Sequence, residues 1–229
     1  MSDRRFFTGN QLKLIAMAAM TLDHIGVQLF PHNALLRIIG RLALPIFAYM
    51  IAEGCRYTRN RKKYLVTVLL CGLVCQVVYF VAMGSLYQCI LITFSLSIVL
   101  IYCLDAARSR SARRDWLLLL LALCAVYFLS AVLPRLLPGT DYAIDYGFFG
   151  ILLPVCFYLG PTRKHSLLFG ALGMALLALD SGFTQWFSFA AMPLLLLYNG
   201  QRGKRKLKYL FYIYYPVHLA VIWLISLVI

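Results

Sequence analysis

The chain has 229 residues, 62% of them hydrophobic and only 13% charged, with a mean hydropathy of +0.81. A water-soluble domain is nearer half apolar and a quarter charged, so this composition excludes a soluble globule and calls for a lipid-facing surface. A net charge of +14 would point to nucleic acid in a soluble protein, but here the basic residues fall between apolar runs, as in cytoplasmic loops, and no nucleic-acid partner is expected.

A membrane-spanning helix needs about 20 mostly apolar residues. By that criterion the sequence predicts an all-α, polytopic transmembrane helix bundle of about nine spans. They cover residues 12–30, 34–54, 64–83, 86–105, 116–134, 146–160, 165–180, 183–199 and 208–228. The sixth and seventh are short enough to tilt, re-enter or merge. With no tandem repeat or soluble domain in sight, residues 1–229 read as a single multi-pass membrane domain. Arg4, Arg5 and Lys13 precede the apolar stretch of the first run, which holds Asp23 and His24 and lacks a small-residue cleavage site. It reads as a retained span, not a cleaved signal.

The connections set the orientation. With the N-terminus inside, the inner loops are "RYTRNRKK" (56–63), "ARSRSARRD" (107–115), "PTRK" (161–164) and "GQRGKRKLK" (200–208), all basic. The outer loops, "PHNA" (31–34), "MGSLYQ" (83–88), "RLLPGTDYAIDY" (135–146) and "SGF" (181–183), carry one Arg and the acids Asp141 and Asp145. The positive-inside rule therefore predicts a cytoplasmic N-terminus and, with an odd number of spans, a C-terminus on the outer, periplasmic side. Anionic lipid headgroups of the bilayer, or a polyanionic substrate such as coenzyme A, can share the inner loops. Seven scattered cysteines, nearly all in apolar runs, suggest neither a disulfide framework nor a metal site; Cys71 and Cys75 share a face without a third ligand.

Ionisable groups inside spans are costly and become candidates for function, in competition with structural pairing. Asp23 and His24 are neighbours on the first run, pointing about 100° apart, so they do not form a simple pair on one face. Two readings stand side by side for them: a structural cluster, with Asp23 on an Arg and His24 against another helix, or a lined cavity. Arg37 and Arg41 share a face of the second run. The short "PHN" turn makes that run antiparallel to the first, with Arg41 near the depth of Asp23 and His24. Pro45 permits a bend there. Glu53 ends the run ahead of Arg56, Arg59, Arg61, Lys62 and Lys63. Asp180 closes the seventh run. Tyr214 and His218 are four apart in the last, beside Pro216, so their rings share a face. Tyr209, Tyr212, Tyr214 and Tyr215 suggest an interfacial belt, although the last two lie deep for one.

The stretches "LKLIAMAAMTLDHIG" (12–26), "IIGRLALPIFAYMIAEGCRYTRNRKKYL" (38–65) and "FYIYYPVHL" (211–219), with "DYGFFGILLPVCFY" (145–158) between them, resemble the TraX family of conjugative-pilus pilin acetylases. The resemblance covers both ends of the chain and, by span pattern, the middle. It implies a membrane acetyltransferase of the bacterial inner membrane that moves acetyl from cytosolic acetyl-CoA to the N-terminal amine of a pilin subunit, without a metal.

On this sequence the implied roles are these. Arg56 and Arg59 take the coenzyme A phosphates. Arg41 and Tyr214 line the path of the acyl donor, and Arg41 stabilises the thioester oxygen as it becomes an oxyanion. His24 is the base that takes the amine proton. Asp23 orients an imidazole or holds the ammonium. His218 is a second base or orients the first. Direct transfer and an acetyl-histidine intermediate both remain open. Three rivals stand beside this reading. The acceptor is an envelope polysaccharide hydroxyl; or the chain is a transporter with Asp23, His24 and Asp180 as a proton relay; or it is a pilus-assembly protein without chemistry, its polar groups joining helices.

Overall fold

The computed structural model describes residues 6–204 and 207–228, apart from the side chains of residues 82, 208, 209 and 212. Arg4 and Arg5, and the rings expected at 209 and 212 as part of an interfacial belt, thus lie outside the described residues. Among the described residues the secondary structure is helical, apart from two isolated parallel bridges, Phe7 with Tyr198 and Gln88 with Ile144. The helices are α1 (Gly9–Gln28), α2 (Ala34–Gly40), α3 (Ala43–Tyr57), α4 (Arg61–Met83), α5 (Ile90–Arg110), α6 (Arg113–Tyr127), α7 (Leu133–Leu136), α8 (Gly147–Leu159), α9 (Arg163–Ser181), α10 (Ala191–Leu196) and α11 (Lys208–Ser226). A π-helical turn, Phe128–Val132, joins α6 to α7, and a 3-10 helix, Phe183–Ala190, precedes α10. Among the described residues, four helical runs are long and apolar enough to cross a membrane: Ala34–Tyr57, Arg61–Val81, Ile90–Arg110 and Arg113–Leu136.

Three runs depart from the simple helices expected. The second is broken at Arg41 and Leu42, whose N–H groups close tight turns onto Ile38 and Ile39. Gly40 weakens the helix there, and Pro45 has no N–H for the carbonyl of Arg41. The fifth loosens into the π turn just before Pro134, which likewise offers nothing to the carbonyl of Ser130. The eighth is a 3-10 helix followed by a short α-helix, not one continuous span. Pro193 lies at that junction and cannot bond the carbonyl of Phe189.

The chain divides into two compact units, Met1–Met50 with Gly160–Ile229, and Ile51–Leu159. In the first, a capping box starts α1: Thr8 accepts from the Gln11 N–H while the Gln11 side chain accepts from the Thr8 N–H. Asn33 caps α2 after a short turn. The two helices run antiparallel, Gly26 against Leu36 and Gly40 against Asp23. Small residues at both places let the backbones approach closely. The 3-10 helix packs on α2 and α9, and α11 packs on α1. Fully buried Leu12, Ala16, Ile46, Met174, Leu177 and Leu195 form the core of this unit.

In the second unit α5 is central, touching α4, α6 and α8. Leu100, Val126, Ile144 and Ile151 fill its core. Ser97 and Thr93 on α5 donate to the carbonyls of Ile151 and Asp145, tying α5 to α8 and to the segment that leads into it. Within this unit α4 and α6 leave most of their apolar surface exposed, as lipid-facing helices do.

Candidate active site

Adjacent residues of α1 look toward different helices. Asp23 faces α2, where its Oδ1 meets Arg41 Nη2 at 2.6 Å and its Oδ2 meets Arg37 Nη1 at 3.0 Å. One carboxylate against two guanidiniums leaves one positive charge in excess. Arg41 is buried and fully engaged: its Nε donates to the carbonyl of Arg37, and its Nη1 donates to Oε1 of Gln185 at 3.2 Å. Arg41 sits at the break between α2 and α3, so its backbone position is itself set by Gly40 and Pro45.

His24 faces α11. Its Nδ1 lies 2.8 Å from the carbonyl oxygen of Met20 and 3.4 Å from Nε2 of His218. His218 Nδ1 lies 2.9 Å from the carbonyl oxygen of Tyr214. A backbone carbonyl only accepts, so both Nδ1 atoms carry protons and both Nε2 atoms carry lone pairs. That one assignment satisfies all three contacts: His24 shares its Nδ1 proton between Met20 and the His218 lone pair. The rings cross at 73° with centroids 5.0 Å apart. Tyr214 stacks on His218 (5.0 Å, 10°), and Tyr215 meets both imidazoles edge-on. Thr21 donates to the carbonyl of Met17, so the Tyr214 hydroxyl, 2.5 Å away, donates to Thr21. These contacts fix both imidazole planes.

Asp23, His24, Arg41, Tyr214 and His218 therefore belong to the first unit, gathered on α1, α2 and α11. Arg56 and Arg59 belong to the second. Arg56 is held there by Glu53 at 3.0 Å and by the carbonyls of Phe157 and Tyr158, with its guanidinium over the Tyr158 ring. Arg59 is exposed in the turn before α4, and Asp180 is exposed near the end of α9. Thr21 and Gln185 join the site without having been singled out in the sequence, and Tyr215, expected in an interfacial belt, packs against its imidazoles. The second unit has a polar group of its own, likewise not singled out in the sequence, in which Asp105 pairs with Arg61 and accepts from the Tyr158 hydroxyl.

A family model described as TraX protein matches residues 8–226, a range that holds every residue of this cluster. The chain belongs to the TraX family. Two relatives are similar to this TraX chain. A probable fimbrial assembly protein FimC, serogroup H1, of Dichelobacter nodosus is 28% identical over 252 aligned positions, 94% of each chain. Uncharacterized protein RP591 of Rickettsia prowazekii (strain Madrid E) is 53% identical over 38 residues, 17% of this chain and 15% of its own. No solved structure matches.

In this TraX chain the chemistry on offer is acid–base and electrostatic. His24 presents an Nε2 lone pair, and when that nitrogen gains a proton the imidazolium is stabilised through Nδ1 by His218 and Met20. The Asp23–Arg37–Arg41 group supplies a fixed excess positive charge suited to a developing oxyanion.

Proposed function

We propose that this TraX protein acetylates the N-terminal amine of a pilin subunit at the bacterial inner membrane, with acetyl-CoA as donor. The observation that carries this reading is the pairing of His24 with His218 beside the Asp23–Arg41 ion pair. The basic connections, which fall on one side when the N-terminus is placed inside, support nine spans with the N-terminus in the cytoplasm and the C-terminus outside. In the transfer, the amine nitrogen attacks the thioester carbonyl. The amine proton passes to His24 Nε2, the carbonyl oxygen takes the negative charge, and collapse of the adduct breaks the C–S bond. The departing thiolate recovers the proton, giving N-acetyl pilin and free CoA. An α-amine ordinarily titrates at about 7.7–8.0 and an imidazole at about 6.5, so the proton exchange needs little tuning. Asp23, committed to Arg37 and Arg41, acts by holding Arg41. Arg59 and the neighbouring inner basic residues offer charge for the coenzyme phosphates, whereas Arg56 is already engaged by its own unit.

The test is direct. Purified protein in proteoliposomes receives acetyl-labelled CoA and mature pilin, and the pilin N-terminus is read by mass spectrometry. A gain of one acetyl group with wild type and none with His24→Ala supports the reading. CoA release without labelled pilin moves the acceptor to another nucleophile, such as an envelope sugar hydroxyl. A relative described as a fimbrial assembly protein favours a second reading, assembly without chemistry. It predicts neither labelled pilin nor free CoA, and loss of piliation when the cluster is changed.

A further inference from the structure

Three buried polar atoms of the first unit have no hydrogen-bond partner among the described residues: Oε1 of Gln28 on α1, and two that lie together on the 3-10 helix. These two, the Nε2 of Gln185 and the Oγ of Ser188, make no hydrogen bond to any described residue, although the residues are only 2% and 0% exposed. Leaving such groups unsatisfied is costly, and native proteins rarely do so without a reason. Both lie on the 3-10 helix Phe183–Ala190, three residues apart. Side chains at that spacing eclipse in a 3-10 helix, so the two point the same way along one face. The amide of Gln185 is not free to turn. Arg41 can only donate, so it holds Oε1 and leaves the NH2 end turned away from it. The 3-10 helix packs against α2 at the point where Arg41 also holds Asp23.

The geometry points to Gln185 and Ser188 as donors for a carbonyl oxygen: with Arg41 behind them, they bind the acyl group of the thioester and the oxyanion formed from it. This rests on the acetyl-transfer reading above. Unpartnered N–H and O–H groups held rigid before substrate arrives are what stabilises such an oxygen, since no reorganisation is then needed during reaction. The 3-10 winding has a use here. An α-helix would set residues 185 and 188 about 60° apart around the axis, whereas three residues per turn aligns them.

The test uses Ser188→Ala and Gln185→Glu in the full-length protein. The second keeps an oxygen for Arg41 and replaces only the donor. Three quantities are read: turnover and KM with acetyl-CoA and pilin, Tm, and the infrared carbonyl band of bound acetyl-CoA carrying heavy carbon at that carbonyl. The expected result is a fall in turnover on the order of 10²-fold for each variant with KM little changed. Tm of Ser188→Ala is unchanged or raised, because an unsatisfied group has been removed. The carbonyl band of the variants moves back toward its position in water. Turnover at the wild-type level with an unmoved band overturns the inference, as does a lowered Tm with full turnover per folded molecule, which would mark a packing role. If wild type itself neither labels pilin nor releases CoA, the acetyl-transfer reading fails and the inference falls with it.

Discussion

His24 Nδ1 on α1 lies 3.4 Å from His218 Nε2 on α11, and each imidazole also gives its own Nδ1 proton to a carbonyl one helical turn behind it. The two rings are therefore not equivalent. His24 keeps its lone pair on Nε2, away from the pair, while the lone pair of His218 is turned onto His24. In the proposed transfer this makes the first the base and the second the group that holds it.

That asymmetry predicts unequal losses. His24→Ala lowers acetyl transfer by about 10²- to 10⁴-fold, the range for a general base. His218→Ala lowers it less, since His24 keeps its bond to Met20. Pilin labelling per folded molecule, with size-exclusion profiles as the control, measures both. Equal losses would make His218 a proton carrier in its own right.

Asp23→Asn leaves buried Arg41 without its counter-charge. The expected destabilisation is on the order of 3 kcal/mol, as when one partner of a buried ion pair is removed. Arg37, 37% exposed at its side chain, loses less and can turn to water. Thermal unfolding in detergent measures the loss, and Arg41→Gln combined with Asp23→Asn restores part of it, because the stranded charge is then gone.

Gly40→Ala brings a methyl group into the Asp23 side chain, closer than any real contact. Gly26→Ala places one 2.9 Å from Cβ of Leu36. Overpacking of this kind costs about 1–3 kcal/mol. Gly40→Ala is expected to lose acetyl transfer out of proportion to stability, because it moves the carboxylate that holds Arg41, whereas Gly26→Ala lowers Tm alone. Tm and turnover measured on the same preparations separate the two.

In the segments between α4 and α5 and between α7 and α8, the Ser85 hydroxyl and then the Leu86 N–H bond the Asp141 carboxylate and hold its pKa below the ordinary carboxylate value. A depressed carboxylate stabilises the folded state above its unfolded pKa, about 3.9, and loses that contribution as pH falls through the folded value. The stability gap between wild type and Ser85→Ala is thus expected to be constant above about pH 5 and to close on further acidification. Urea or thermal unfolding across that range checks the sign.

Much of this was legible in the sequence. Each apolar run is helical, the "PHN" turn does reverse α1 onto α2, and the spacing of Arg37 and Arg41 does place both on Asp23. The spacing of Tyr214 and His218 does stack their rings. Local periodicity carries all of these. Gln185 and Ser188 were hidden for a physical reason: they sit in the aromatic run "FTQWFSF", and a period of three is lost when the run is read as an ordinary span. The distant partners of Arg56 were equally out of reach, because carbonyls of Phe157 and Tyr158, about a hundred positions away, leave no mark in residue type.

The two imidazoles are 194 positions apart along the chain. At bacterial rates of synthesis, about 5–20 residues per second, His218 leaves the ribosome roughly 10–40 seconds after His24. For all that time His24 has no imidazole partner on α11. No chain still lacking α11 carries the pair, so under the proposed function acetyl transfer begins only once α11 has packed on α1.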